Sequence, residues 1–332
     1  MRDLIERRHM GPRRVAALLA TGVLVAAIAL HTSDVSALGQ TATASATDAL
    51  TWWKAAVLGI VEGVTEYLPI SSTGHLLLAS RLLGLPDERG SAGLDAVNTY
   101  AIAIQFGAIL AVAGLFRNRF RDMVLGLFGR SDDGRHLLVT LIIAFLPAAI
   151  LGAAFNHKIE DTLFGPWPVV IAWIAGGVLI LVLERTGRIP TGDQLAHRGE
   201  DLVAAITHRQ ALIIGVAQCA ALWPGTSRSL ATIIGALLVG VAMPAAVEFS
   251  FLLGFATLSA ATGFKLLTDG GTLVEQFGII NPLIGAAFAL ISAVLAIRWL
   301  ITYLERHDLS IFAWYRFAVA AVAIGLLTTG VL

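Results

Sequence analysis

Residues 62–75 read EGVTEYLPISSTGH, and this stretch determines how the rest of the chain is interpreted. A proline and three consecutive hydroxyl residues interrupt an apolar segment here, so one helix should end near the proline and another should begin directly after it. Residues 223–232 read WPGTSRSLAT and show the same order of a proline, small residues and hydroxyls. The two stretches predict one interrupted helix in each half of the chain.

Composition places the chain in a membrane. Hydrophobic residues make up 57% of its 332 positions and charged residues only 14%, whereas roughly a quarter of the residues in a soluble domain are charged. The net charge is zero, and no basic tract is present that would hold nucleic acid. The single cysteine, Cys219, excludes an intramolecular disulfide.

The apolar residues form blocks, and a helix needs about 20 apolar residues to cross a bilayer. Six blocks are long enough, at 97–116, 137–155, 166–184, 245–266, 279–304 and 309–331. Four are short and occur as two interrupted pairs, at 52–68 with 75–85 and at 210–222 with 228–242. Such pairs in corresponding places are typical of inverted repeats. We therefore predict an all-α polytopic membrane protein with an inverted repeat, six transmembrane helices and two re-entrant helix pairs.

Loop charge predicts how the two halves lie in the membrane, because cytoplasmic loops carry an excess of arginine and lysine. Two loops are rich in arginine: Arg117, Arg119, Arg121, Arg130 and Arg135 follow the first long span, and Arg185, Arg188, Arg198 and Arg209 follow the third. We expect both loops to be cytoplasmic. The first interrupted pair then enters from the outside and the second from the cytoplasm. Pro69 aligns with Pro224 in this repeat, and further along Gln105 aligns with Glu248.

Residues 1–50 form an extension to the membrane domain at 51–332. Five arginines precede an extra hydrophobic segment at 15–30, and Val35-Ser36-Ala37 offers a small-residue cleavage pattern. These features are typical of a signal peptide. The apolar run is short for a span, and an uncleaved signal anchor is the other interpretation.

Two glutamates of the first interrupted pair, Glu62 and Glu66, lie four residues apart and share one helix face. Like charges repel there, and each loses hydration in an apolar segment. A divalent cation between them would explain the arrangement, and carboxylate oxygens suit Mg²⁺ or Ca²⁺. The alternative is that one glutamate is protonated and the other reaches the membrane interface.

The turn after Pro69 carries Ser71, Ser72 and Thr73, followed by His75. Free backbone N–H groups at a helix start favour an anion such as phosphate. One hydroxyl of this turn is a candidate nucleophile, and His75 lies within reach as its base. The alternative is that the hydroxyls only cap the helix.

The second interrupted pair places Arg228 between Ser227 and Ser229, with Thr232 one turn later. An arginine among hydroxyl and amide donors is suited to bidentate phosphate binding. The alternative is a salt bridge to Glu62, Glu66 or Glu248. Both interpretations require Arg228 to face the acidic pair. Gln218, one turn before the break, is a lesser candidate for the site.

The strings EGVTEYLPISSTGH and PGTSRSLAT resemble motifs of the undecaprenyl-diphosphate phosphatase family, which is also known for bacitracin resistance. Residues 144–152, 218–224 and 246–253 support the resemblance, which covers roughly residues 52–332. The first 50 residues depart from the usual pattern of the family.

The resemblance implies hydrolysis of undecaprenyl diphosphate, which regenerates the lipid carrier for peptidoglycan synthesis at the bacterial plasma membrane. It implies Glu62 and Glu66 as metal ligands, Arg228 as the phosphate contact, and Ser72 as nucleophile or phosphate ligand with His75 as base. Ser71, Thr73, Ser227, Ser229 and Thr232 are expected to contact substrate. The site is expected to open to the outer face, and membrane lipids and a second copy of the chain are the expected further partners.

A carrier that moves a lipid phosphate or another anion is the competing interpretation, because inverted repeats with broken helices are first of all a transporter architecture. The same residues would then bind the anion without cleaving it. The serine, histidine and arginine around an acidic pair favour hydrolysis, since transport needs no nucleophile and base.

Overall fold

The computed structural model describes residues 50–85, 92–189 and 203–329, and every regular element within these ranges is a helix. In chain order the helices are α1 (Trp52–Thr65), α2 (Ser72–Leu82), α3 (Ala92–Leu115), α4 (Arg117–Leu127), α5 (Asp132–Leu163), α6 (Pro166–Arg185), α7 (His208–Gln218), α8 (Arg228–Leu238), α9 (Met243–Phe277), α10 (Ile280–Leu304) and α11 (Ser310–Thr328), with 3₁₀ turns at Val203–Ala205 and Cys219–Leu222. The predicted N-terminal extension lies outside the described residues, as does Arg198.

Six of the described helices are long and apolar enough to cross a membrane, which confirms the predicted number of spans. They are Val97–Leu115, Asp132–Phe155, Pro166–Arg185, Met243–Thr268, Ile280–Leu304 and Ser310–Thr328. Each agrees with its predicted segment to within a few residues. The four remaining predicted segments form shorter helices, α1 with α2 and α7 with α8, and their re-entrant path stays a prediction.

The internal repeat is visible in two equivalent glycine contacts. Helix α1 packs on α10 where Gly59 meets Gly285, and α7 packs on α5 where Gly215 meets Ala144. At both places a Cβ on the first residue would overlap the carbonyl oxygen of its partner. Glycine is therefore what allows the two backbones to approach so closely. In addition, two helices pack on their equivalents in the other half of the chain, α3 on α9 and α6 on α11. Elements that lie next to a two-fold axis are arranged in this way.

The backbone corrects the register of the predicted repeat by one residue. Ser71 precedes α2 and Ser227 precedes α8 with nearly the same conformation, at φ 73° and ψ 107° for Ser71 and φ 76° and ψ 117° for Ser227. The alignment of Pro69 with Pro224 predicts that Ser71 is equivalent to Thr226, whereas in the structure Ser71 is equivalent to Ser227. From the proline to the first residue of the next helix, the second break is one residue longer than the first, and Gly225, at φ 95°, lies in this longer turn.

The first arginine-rich segment, expected as a loop, forms the amphipathic helix α4. Its apolar residues recur at helical spacing, so that Met123 is buried and Phe120 packs on Phe255 of α9 with ring centroids 4.4 Å apart. Arg119 of α4 donates its Nε hydrogen to Oε1 of Glu248 at 2.6 Å. Glu248 is thereby engaged with α4 rather than with Arg228.

Candidate active site

The first break, which is the turn between α1 and α2, brings Glu66 next to the hydroxyl residues at 71–73. Helix α1 ends at Thr65, and turn residues 66–70 lead to α2, which starts at Ser72. Ser71 has a positive φ, which is uncommon for a residue other than glycine and costs of the order of 1 kcal/mol or more. Its side chain makes no capping hydrogen bond to α2.

Glu66 joins the two halves of the site. The Ser72 hydroxyl donates to its Oε2 atom, and Nη2 of Arg228 donates to its Oε1 atom at 3.2 Å. All three side chains are largely buried, the Glu66 side chain being 6% exposed and that of Arg228 11%. The structure therefore brings together three of the predicted catalytic residues, two from the first break and one from the second.

Arg228 is held in place but keeps one donor free. Its Nη1 atom donates to the Ser250 carbonyl at 3.0 Å, and its guanidinium carbon lies 5.4 Å from the centroid of the Tyr67 ring. A Cβ at position 254 would overlap the guanidinium, so Gly254 makes space for it. The buried Nε atom has no hydrogen-bond partner among the described residues. The predicted salt bridge to an acidic residue is present, and a donor remains for a ligand.

His75 lies in the site but does not contact the Ser72 hydroxyl. Its Nδ1 atom is 2.6 Å from the Ser71 carbonyl oxygen, and its Nε2 atom is 2.9 Å from the Tyr315 hydroxyl. Both ring nitrogens are thus engaged elsewhere, and the side chain that accepts the hydrogen bond of the Ser72 hydroxyl is Glu66. The helical spacing brings His75 near Ser72, but its Nδ1 atom forms a hydrogen bond with the carbonyl of Ser71, four residues earlier.

The hydroxyls of the second break serve mainly to hold the two breaks together. Ser229 Oγ donates to the Leu68 carbonyl at 2.8 Å, and Ser227 Oγ accepts the Leu230 N–H as a helix cap at 3.2 Å. Thr232 Oγ1 lies 2.7 Å from Ser250 Oγ. Direct phosphate contact by these hydroxyls stays a prediction. The same applies to Ser71 and to the half-buried Thr73.

Glu62 is the residue that a cation fits best. It is fully buried beside Glu66, and neither of its carboxylate oxygens has a hydrogen-bond donor among the described residues. An unpartnered buried carboxylate is costly, and Mg²⁺ or Ca²⁺ would satisfy it. The described part of the chain contains no group of three or more His, Cys, Asp or Glu side chains that could hold a metal. Substrate oxygens and water would complete the coordination.

Sequence reasoning missed the contribution of α6 and α11. Tyr315 binds His75, and the neighbouring Arg316 is 1% exposed inside an apolar span. Trp173 of α6 is fully buried and donates from Nε1 to the Ile70 carbonyl at 2.9 Å. A charged residue within an apolar span is a functional signal in its own right, so Arg316 was detectable from the sequence.

Six apolar spans around a buried serine, carboxylate and arginine define an integral membrane protein with a hydrolase-type polar site. Residues 55–322 match the family described as "Bacitracin resistance protein BacA". The chain belongs to this family, and the match includes both breaks and all the site residues named above.

Curated relatives are similar over most of the chain. An "Undecaprenyl-diphosphatase" of Sorangium cellulosum is 44% identical over 276 residues, which cover 83% of this chain and 86% of the relative. One of Nitrosospira multiformis with the same name is 45% identical over 271 residues, covering 82% and 93%. "Undecaprenyl-diphosphatase 2" of Rhodospirillum rubrum is 43% identical over 280 residues, covering 83% and 95%.

Proposed function

We propose that this chain hydrolyses undecaprenyl diphosphate to undecaprenyl phosphate and inorganic phosphate, and so recycles the lipid carrier of peptidoglycan synthesis. The relatives carry the name of this activity, and bacitracin resistance, the property in the family's description, would follow from it. The observation that carries the proposal is the buried chain of hydrogen bonds from Ser72 through Glu66 to Arg228.

In this proposal Glu66 removes the proton from Ser72, whose hydroxyl already donates to it. As the proton moves from Oγ to Oε2, Oγ forms a bond to the terminal phosphorus, and the bond from that phosphorus to the bridging oxygen breaks. The electron pair leaves with undecaprenyl phosphate, which takes up the proton. Water then attacks the phosphoserine, Glu66 accepts the proton of that water, and the proton returns to Ser72 Oγ as phosphate leaves. One water molecule is consumed.

Charge balance supports binding of a diphosphate together with a divalent cation. With both carboxyl groups ionised, Glu62 and Glu66 would carry two negative charges against the single positive charge of Arg228, and a cation would be needed to balance them. Glu62 and Glu66 would hold Mg²⁺ or Ca²⁺, and when bound the ion supplies positive charge to a diphosphate. The free Nε donor of Arg228 is available to the developing charge on phosphate oxygens. The start of α2, which the Ser71 side chain leaves uncapped, offers backbone N–H donors.

Orientation and assembly complete the proposal. The first break opens to the outer face of the bacterial plasma membrane, as the arginine distribution predicts. A homodimer stays a prediction.

The test is phosphate release by the purified full chain in detergent, given undecaprenyl diphosphate with Mg²⁺, with Ca²⁺ and with chelator. We expect Ser72→Ala and Glu66→Gln to lower kcat by about 10³-fold and about 10²-fold respectively. Ser80→Ala on the same helix and Glu305→Gln on an exposed turn are the matched controls.

Two outcomes would change the proposal. When the substrate carries ³²P in its terminal phosphate, a phosphoserine intermediate should leave label on the denatured wild type and none on Ser72→Ala. If a wild type with full turnover retains no label, water is the direct nucleophile. A folded wild type that binds the lipid but releases no phosphate under any metal condition would overturn hydrolysis in favour of a carrier.

A further inference from the structure

Arg316 of α11 is buried among backbone carbonyls. Its Nε atom donates to Trp173, its Nη1 atom to Pro69 at 3.1 Å, and its Nη2 atom to Ala172, Gly225 and Thr226 at 3.0, 2.8 and 3.1 Å. A Cβ at Gly176 of α6 would overlap the guanidinium. The described contacts of Arg316 are all to neutral acceptors.

These acceptors belong to both breaks. Pro69 lies in the first break, Gly225 and Thr226 lie in the second, and the remaining carbonyls belong to α6. Breaking a helix inside an apolar region leaves carbonyls without intrahelical donors, which is costly where water is scarce. Arginine is the side chain with five N–H donors in one plane. One guanidinium thus cross-links the segment that carries Glu66 and Ser72 to the segment that carries Arg228.

Tyr315, the preceding residue, acts on His75. The Ser71 carbonyl can only accept a hydrogen bond, so His75 Nδ1 carries a hydrogen and donates it. In the neutral ring Nε2 is then the acceptor for the Tyr315 hydroxyl at 2.9 Å. The two rings also stack, with centroids 5.6 Å apart. Tyr315 therefore holds the ring that binds the strained Ser71 carbonyl immediately before Ser72.

We propose that Tyr315 and Arg316 are positioning residues of the hydrolytic site. Arg316 keeps the two breaks at the separation at which Arg228 reaches Glu66, and Tyr315 keeps His75 on Ser71 so that the Ser72 hydroxyl points at Glu66. The inference rests on the proposed hydrolysis. It gives α11 a part in the site, although α11 lies outside both breaks.

The first test uses Tyr315→Phe, which removes one oxygen and leaves the ring in place. We expect kcat to fall about tenfold with KM within about twofold of wild type, because misplacement of reacting groups acts on turnover. The melting temperature in detergent should stay within a few degrees. Tyr303→Phe is the matched control, since Tyr303 also stacks on a histidine, His307, with centroids 4.4 Å apart.

A double-mutant cycle separates positioning from general stability. If Tyr315 acts through His75, Tyr315→Phe should cost no further activity in a His75→Ala background. Additive losses in the two variants would overturn this part of the proposal. So would a Tyr315→Phe enzyme with wild-type kcat.

The second test compares Arg316→Lys with Arg316→Gln, and the exposed Arg298→Lys is the control. We expect Lys to retain part of the activity and Gln to lose about 10²-fold in kcat. The energetic coupling between Glu66 and Arg228, measured by a cycle of Glu66→Gln and Arg228→Lys, should disappear in Arg316→Lys. Persistence of that coupling, or wild-type kcat in Arg316→Gln, would overturn the role of Arg316.

The outcome for wild type keeps the two proposals apart. An inactive wild type contradicts the proposed hydrolysis, whereas an active wild type with unaffected α11 variants contradicts only the positioning role. If Arg316→Gln fails to fold, Arg316→Lys decides the role of Arg316, and the cycle of Tyr315 with His75 decides the role of Tyr315.

Discussion

Glu66 accepts hydrogen bonds from two residues that belong to different halves of the chain, Ser72 and Arg228. Its neighbour Glu62 accepts none within the described residues, although both side chains are buried. The two glutamates therefore differ in their surroundings. In the proposed hydrolysis Glu66 would act as the base for Ser72, and Glu62 would contribute the free carboxylate oxygens to the cation site that the two residues share.

Glu62→Gln tests this division at the residue scale. The amide keeps the size of the side chain but is a weaker ligand for a hard divalent cation than a carboxylate. A lost carboxylate ligand should raise the Mg²⁺ concentration for half-maximal phosphate release by about 10–100-fold. Glu305→Gln should leave this concentration unchanged. An unchanged metal requirement in Glu62→Gln would remove this residue from the cation site.

At the scale of the elements, glycines decide how closely α1 and α7 pack on their partner helices. Gly59 and Gly215 occupy equivalent places in the two halves, and each meets the backbone of the facing helix. Because α1 carries Glu62 on the same helix as Gly59, a displaced α1 would also move the acidic pair.

Gly59→Ala and Gly215→Ala are therefore expected to destabilise the protein by about 1–3 kcal/mol each, since the new Cβ overlaps a carbonyl oxygen that cannot move aside. Gly263→Ala in α9 is the matched control, because a Cβ there meets nothing within 4 Å. Unfolding followed by circular dichroism in detergent measures the difference. Equal stability of all three variants would contradict the close packing.

At the scale of the whole molecule, α4 is linked to the start of α9. Arg119 and Glu248 form a salt bridge at 2.6 Å, which joins the first arginine-rich segment to the residues that follow the second break. Loop charge predicts that both regions lie on the cytoplasmic side, and the salt bridge requires that they lie on the same side.

Cysteine labelling tests that orientation. In a Cys219→Ser background, Thr162→Cys at an exposed position in the last turn of α5 should react with a membrane-impermeant maleimide in intact cells. Arg130→Cys and Arg188→Cys, both at exposed positions, should react only after the membrane is permeabilised. Labelling in the reverse order would invert the topology and place the first break on the cytoplasmic side.

The amino-acid sequence by itself determined the six spans, the two breaks and the residue types of the site. These features are local: a bilayer selects apolar segments by length, and a proline followed by small polar residues favours the end of a helix, whereas Pro147 among apolar residues lies inside α5. The family motifs further identified Glu66, Ser72 and Arg228 as residues of one site.

Tertiary structure alone decided which of these residues touch. Glu66 and Arg228 are 162 residues apart and Tyr315 lies 240 residues beyond His75, so no helical period relates them. The packing of α11 on α6 brings Tyr315 and Arg316 to the breaks and takes His75 away from Ser72. Contacts between distant segments depend on how whole helices pack, and that packing is a property of the assembled molecule.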